Sequence, residues 1–197
     1  ETIRGDCLLV ATGRKPNVDM LGLENTSIAY DEAGIKVDKY LRTNARHIYA
    51  VGDVLGGPQF THNSNFQGAT AAQNALFPVV NMIGIEEDLM PRVTFTAPEV
   101  AHVGLTEAQA RARHGDEFKV YFYLMTGSDR GHTESDTEGL IKIIHRKGRI
   151  IGVTIVAARA GEMLTEFTLV MKNKLTLRQM IAAIHAYPTY SETVYRA

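Results

Sequence analysis

Ile48-Tyr49-Ala50-Val51-Gly52-Asp53, with Pro58 and Thr61-His62 just beyond it, is the stretch on which the reading of this chain turns. An apolar run ends at Gly-Asp and a helical pattern starts shortly after, which is how a βα unit presents a loop to a ligand. Gly52 lets the backbone approach closely, and Asp53 offers a carboxylate to hydroxyls or to an ordered water beside phosphate. A helix start at this place aims unpaired backbone N–H groups and roughly half a positive charge at the loop. The same pattern also describes an ordinary capped helix after a strand. Its neighbours in the sequence have to decide.

Upstream, residues 6–11 (Asp-Cys-Leu-Leu-Val-Ala) read as a buried strand stopped by Gly13 and Pro16. Residues 16–47 read as loops with a short strand near 35–37, and residues 47–51 as a second buried strand. Downstream, Phe66, Ala69, Ala72, Ala75 and Leu76 give an amphipathic helix over residues 62–80, with Pro78 kinking or ending it. Residues 84–91 are charged and irregular, and the boundary between units 1–85 and 90–197 falls there.

Past that boundary the pattern changes. Residues 93–96 and 101–103 read as short extended pieces, and Thr106-Glu107 opens a capped helix that runs to Arg113 and ends at Gly115. Residues 118–125, 139–145 and 149–157 read as strands, with Lys147-Gly148 as the tight turn of a hairpin. Met163, Leu164, Phe167, Val170 and Met171 line one face of a helix over 161–172, and Thr176 caps another through Ile184. Antiparallel strands followed by helices, after an α/β segment, predict an α+β second domain.

Composition narrows the function. With 21 basic and 22 acidic residues the net charge is −1, which offers nothing to nucleic acid or an anionic membrane. No apolar run approaches the ~18 residues that span a bilayer. Cys7 is the single cysteine, so no internal disulfide forms; it sits in an apolar run where a buried, inert thiol is expected, and a cytoplasmic setting is the default. The sequence contains no G-x-G-x-x-G, and one cysteine cannot make a C-x4-C redox pair. The remaining histidines lack metal-ligand spacing and read as solvated or core residues.

Three further motifs bear on the first stretch: Ala11-Thr12-Gly13-Arg14-Lys15-Pro16-Asn17, Thr94-Phe95-Thr96-Ala97-Pro98-Glu99-Val100-Ala101-His102-Val103-Gly104, and His185-Ala186-Tyr187-Pro188-Thr189-Tyr190-Ser191-Glu192. In this order they resemble the pyridine nucleotide-disulfide oxidoreductases, FAD enzymes of the dihydrolipoamide dehydrogenase, glutathione reductase and mercuric reductase kind. The resemblance covers nearly the whole chain. It implies an α/β remnant of the FAD- and NAD(P)H-binding domains over 1–85, joined to an α+β dimerisation domain with an antiparallel sheet over 90–197. It also implies a C-terminal fragment of a longer flavoprotein, inactive alone, with apolar surface exposed where the upstream half would pack. In the family, the residue matching Asp53, after Gly52, contacts the ribityl–pyrophosphate part of FAD. Gln59, Phe60, Thr61 and His62 match the helix start at the flavin's pyrimidine edge, and Gly13 matches a residue near nicotinamide, or serves only as a strand-ending turn. The selectivity between NADH and NADPH lies upstream of Glu1. Ala97 stands where the family usually has Asp or Asn.

The terminal motif departs from the family's usual His-Pro-Thr. Tyr187 occupies the position before proline, and Glu192 keeps the five-residue spacing of the partner glutamate. An imidazole with a pKa near ~6.5 exchanges protons with a thiol near ~8.5, whereas a phenol near ~10 stays protonated and donates or orients. Tyr187 therefore argues against efficient reduction of dithiols such as lipoamide or glutathione. Mercuric reductases resemble this arrangement, with a Tyr and a Glu five residues on, which suits a soft cation held by sulfur. They also carry a C-terminal cysteine pair, and no Cys lies near Ala197. His185 as a replacement base and Tyr187 as a packing aromatic remain open readings. The implied whole is a homodimer that passes electrons from NAD(P)H through FAD to a small-molecule acceptor, with Tyr187 and Glu192 delivered into the partner's site. A second reading makes the isolated chain a catalytically inactive homodimerisation module.

Overall fold

The protein is described by a computed structural model over residues 2–78 and 82–196. It divides into two compact units, Glu1–Ile85 and Glu86–Ala197.

The N-terminal unit is short on regular structure. Its strands are the two-residue antiparallel pair β1 (Tyr30–Asp31) and β2 (Gly34–Ile35), and its one long helix is α1 (Thr61–Leu76). Leu23, Ile28, Ile35 and Ala50 form a small core, with Val18, Val37, Ala45, Ile48, Val54 and Leu55 packed against it. Two expected strands are absent. Residues 6–11 form no ladder, and Leu8 and Leu9 are almost fully exposed, as is the Cys7 thiol that was expected to be buried. Residues 47–51 make one isolated bridge, Tyr49 to Arg42. A strand exists only where a neighbour takes its backbone hydrogen bonds; residues 47–51 find only a short one at residues 41–43, and residues 6–11 pair with none of the described residues.

Helix α1 corrects a third expectation. It ends at Leu76, ahead of Pro78, but the face it buries is polar: Asn63, Gln67, Thr70, Ala71 and Asn74. Phe66 and Leu76, on the expected core face, are exposed. The buried side chains are satisfied instead of apolar. Asn74 donates to the carbonyls of Tyr40 (3.1 Å) and Ile83 (2.9 Å) and accepts from the Ile83 N–H at 2.8 Å.

The C-terminal unit follows its sequence pattern closely. Strands β3 (Arg92–Thr94), β4 (Glu99–Gly104), β5 (Lys119–Leu124), β6 (Leu140–Arg146) and β7 (Arg149–Ala157) form one antiparallel sheet of order β3-β4-β7-β6-β5. Between β4 and β5, α2 (Glu107–His114) starts with a reciprocal capping box, Thr106 with Gln109, and ends at Gly115. Lys147 and Gly148 both take positive φ, 49° and 76°, which is the turn geometry that matches the twist of a β6–β7 hairpin. Alternate residues of the sheet (Ala101, Val103, Ile141, Ile143, Val153, Ile155) pack with Met163, Leu164, Phe167 and Val170 of α4 (Ala160–Lys172).

Two differences concern the end of the chain. The helix capped by Thr176 is α5 (Leu177–Ile181), shorter than expected, because no residue beyond Met180 in that stretch is buried. Residues 129–134, not read as an element from the sequence, form a short helix, α3 (Asp129–Glu134), started by Ser128, whose side chain accepts from the Gly131 N–H. No helix among the described residues is long and apolar enough to cross a membrane.

Candidate functional site

In the N-terminal unit the stretch around Gly52 is built by α1. The Gly52 N–H donates to Gln67 Oε1 at 2.7 Å, so the buried glutamine ties the loop to the helix. Gly52 has φ 76°, and a Cβ there would lie 2.8 Å from Ser64 Oγ, so both backbone and space demand glycine. Asp53 is exposed beside the helix start; the Ser64 hydroxyl lies 3.5 Å from Oδ1.

Residue 60 is extended (φ −128°, ψ 139°), and no side chain caps α1. Its first turn, Thr61 and His62, faces solvent; the rings of Phe60 and His62 lie 5.3 Å apart, tilted. Arg14 Nη1 donates to the carbonyl of Gln59 at 3.2 Å, which brings the loop after Gly13 to the loop before α1. Gly13 itself has φ 120° with open space where a Cβ would be. The structure thus gathers Gly13, Gly52, Asp53, Gln59, Phe60, Thr61 and His62 in one unit. An exposed carboxylate, an uncapped helix N-terminus and a close-approach glycine form a donor set that fits a polyhydroxylated, anionic group such as the ribityl–pyrophosphate of FAD.

The terminal motif lies in the C-terminal unit. Tyr187 is 68 % exposed, and among the described residues its hydroxyl has no hydrogen-bond partner. Glu192 is buried and serves a different partner: Arg196 holds its Oε1 at 2.9 Å, while Oε2 is buried with no partner among the described residues. No hydrogen bond joins Tyr187 to Glu192 within one chain. His185 is held by two neighbours. Its Nε2 lies 2.8 Å from Glu166 Oε1 and its Nδ1 lies 3.1 Å from the carbonyl of Ala183.

Several residues here escaped sequence reasoning. Thr193 donates to Ser128 at 3.0 Å in the core, Arg196 pairs with Asp129 at 3.1 Å and donates to the Gly127 carbonyl, and the Tyr190 hydroxyl donates to Asp136 at 3.3 Å. Burial and the nearby Asp136 carboxylate push the Tyr190 phenol up, and Tyr123, Asp129 and Glu192 hold the Arg196 guanidinium charged. The Glu192/Arg196 spacing of one helical turn was the visible signal for part of this latch. Glu166 gave none. Among the described residues no group of three or more His, Cys, Asp or Glu side chains could hold a metal ion.

The two units can now be compared with known proteins. The family described as "Pyridine nucleotide-disulphide oxidoreductase, dimerisation domain" matches residues 90–197, and "Pyridine nucleotide-disulphide oxidoreductase" matches residues 1–68. The chain belongs to the pyridine nucleotide-disulphide oxidoreductases. Among relatives in this family it is 37 % identical over 202 residues to dihydrolipoyl dehydrogenase of Bacillus subtilis strain 168, an alignment covering 100 % of this chain and 42 % of that one. Its fold is similar to the HOCl-induced flavoprotein disulfide reductase RclA from Escherichia coli, with TM-score 0.83 and 30 % identity over 97 % of this chain and 44 % of that one. The Cu(II) complex of RclA gives TM-score 0.84 and 31 % identity, with the same coverage. The chain therefore spans about two-fifths of the length of these relatives. The fold class is the one expected from the sequence: part of the nucleotide-binding region followed by a dimerisation domain built on an antiparallel sheet.

Proposed function

We propose that this chain is the C-terminal portion of an FAD-dependent NAD(P)H oxidoreductase of the disulfide reductase family, and that the intact enzyme acts as a homodimer in the cytoplasm. The observation that carries the reading is the gathering of Gly52, Asp53 and the uncapped start of α1, with Arg14 bonded to Gln59, at the positions that match the family's flavin loop. Bound FAD supplies two-electron chemistry between a nicotinamide and an acceptor. Asp53 accepts from hydroxyls, and the first turn of α1 stabilises negative charge beside it. Gly13 leaves room for a flat ring near that loop.

The acceptor is proposed from Tyr187. A phenol donates a hydrogen bond or orients a thiolate but does not relay a thiol's proton at neutral pH, so lipoamide and glutathione are poor fits. A disulfide of another kind, or a thiol-bound soft metal ion such as mercuric ion, suits it better. That the related RclA was solved as a Cu(II) complex supports keeping a metal ion among the acceptors. Tyr187 and Glu192 serve the partner protomer's site in this reading. The strong exposure of Tyr187 within one chain supports that arrangement.

The test is Tyr187→Phe in the intact enzyme. Reduction of the acceptor is expected to fall at least about tenfold while NAD(P)H-dependent reduction of the flavin holds, since a hydrogen bond placed on developing charge contributes on this scale or more. Unchanged acceptor turnover would remove the phenol from the chemistry.

A further inference from the structure

Between Ala182, which closes α5, and Pro188 the chain has no regular structure, yet this is the stretch that presents Tyr187. Ile184 is fully exposed and Tyr187 largely so. Most of the hydrogen bonds of residues 183–189 are local: Ala183 N–H to Met180, Thr189 to Ala186, and Thr189 with Glu192. Among the described residues, one reaches from this stretch to an element distant in sequence. That bond joins His185 Nε2 to Glu166 Oε1, at 2.8 Å.

The pair is well placed to hold. The His185 side chain is 10 % exposed and that of Glu166 26 %, so solvent screens it weakly. Glu166 stands on α4 beside Phe167, whose ring is wholly buried with Met163, Leu164 and Val170 in the sheet core. Its Cα is therefore carried by the helix that packs on the sheet core. The ring's two partners, a carboxylate and a carbonyl, can only accept. With one ring N–H at Nε2, the ring donates to Glu166, and that bond is the anchor.

We infer that Glu166 is a positioning residue for Tyr187: through His185 it pins the loop two residues before the phenol to the core helix. The importance of the anchor rests on the reading of Tyr187 given above, but its existence does not. The experiment measures position only, so it can fail while Tyr187→Phe succeeds, or the reverse.

On the whole 197-residue chain, labelled with ¹⁵N, two signals report the anchor: the imidazole Nε2–H resonance of His185 and the backbone order parameters of Ala186, Tyr187 and Thr189. In the unaltered chain the N–H resonance is slow to exchange with water and the order parameters are near about 0.85. Glu166→Ala abolishes the resonance and drops the order parameters below about 0.6, while the amides of Val153 and Ile155 keep their protection. Glu166→Gln, which retains an oxygen acceptor, restores most of both signals. Order parameters unmoved by Glu166→Ala, or no better with glutamine than with alanine, overturn the inference. Should Val153 and Ile155 lose protection in the alanine variant, His185→Asn makes the same comparison without touching α4, and a loop that stays ordered there overturns it equally.

Discussion

Asn74 shows how much one side chain does in the N-terminal unit. It is completely buried and makes three hydrogen bonds to main-chain groups of Tyr40 and Ile83, standing where a helix would normally place an apolar residue. Asn74→Ala orphans two carbonyls and one N–H. It is expected to destabilise this unit by about 2–3 kcal/mol, read as a lower urea midpoint with an unchanged slope. His102 makes a different kind of contribution. Its Nε2 donates to the Gly104 carbonyl (2.9 Å), its Nδ1 accepts from Thr154 (2.8 Å), and burial with Arg92 nearby holds its pKa below the usual value. The unfolded chain therefore binds a proton that the folded chain refuses. Stability is full above about pH 6.5 and falls as the pH drops below it. His145, lowered by burial and Lys119, acts in the same window. Urea midpoints measured from pH 7.5 to 5 are expected to decline, with a shallower decline in His102→Gln. An identical slope in the variant would show that this ring is not responsible. The carboxylates held low by cations, Glu107 by Lys142 and Glu117 by Arg146, titrate at more acidic pH and do not confuse the result.

At the scale of elements, legibility followed local physics. The β6–β7 hairpin was readable because Lys-Gly between two alternating apolar runs answers the demand for two positive φ values. A Cβ on Gly148 would meet nothing, so Gly148→Ala isolates the backbone cost: about 1 kcal/mol lost, measurable as a lower unfolding midpoint without change in the sheet's spectrum. Helices α2 and α5 were readable from Thr106 and Thr176 as N-caps, which the structure shows closing reciprocal boxes with Gln109 and Gln179. Helix α1 was readable as a helix and misread as to its face. Periodicity marks which residues are apolar, and burial here went to the polar side, where Gln67 and Asn74 close on backbone groups far away in sequence. The strands at 6–11 and 47–51 failed for a related reason. Their composition suits a ladder, but a ladder needs a partner strand, and composition cannot supply one.

For the molecule as a whole, the order of four motifs along the chain carried the family, and the comparisons bear it out. Leu8, Leu9, Phe66 and Leu76 are left exposed. Sedimentation of the isolated chain over a concentration series is expected to give a dimer formed through residues 90–197, colourless and without NAD(P)H oxidation. A chain that purifies yellow would show that this portion alone retains flavin. What the sequence determined by itself is local: the Lys147-Gly148 turn, the Thr106 and Thr176 caps, strand alternation in the second unit, the glycine at position 52, and a tyrosine before Pro188. What only the tertiary structure decided is which groups meet across sequence: Asn74 with Ile83, Gly52 with Gln67, Arg196 with Asp129, and His185 with Glu166. Such pairs are chosen by how elements pack. A buried polar group is tolerable only where packing brings it a partner, and spacing along the chain carries no record of that choice.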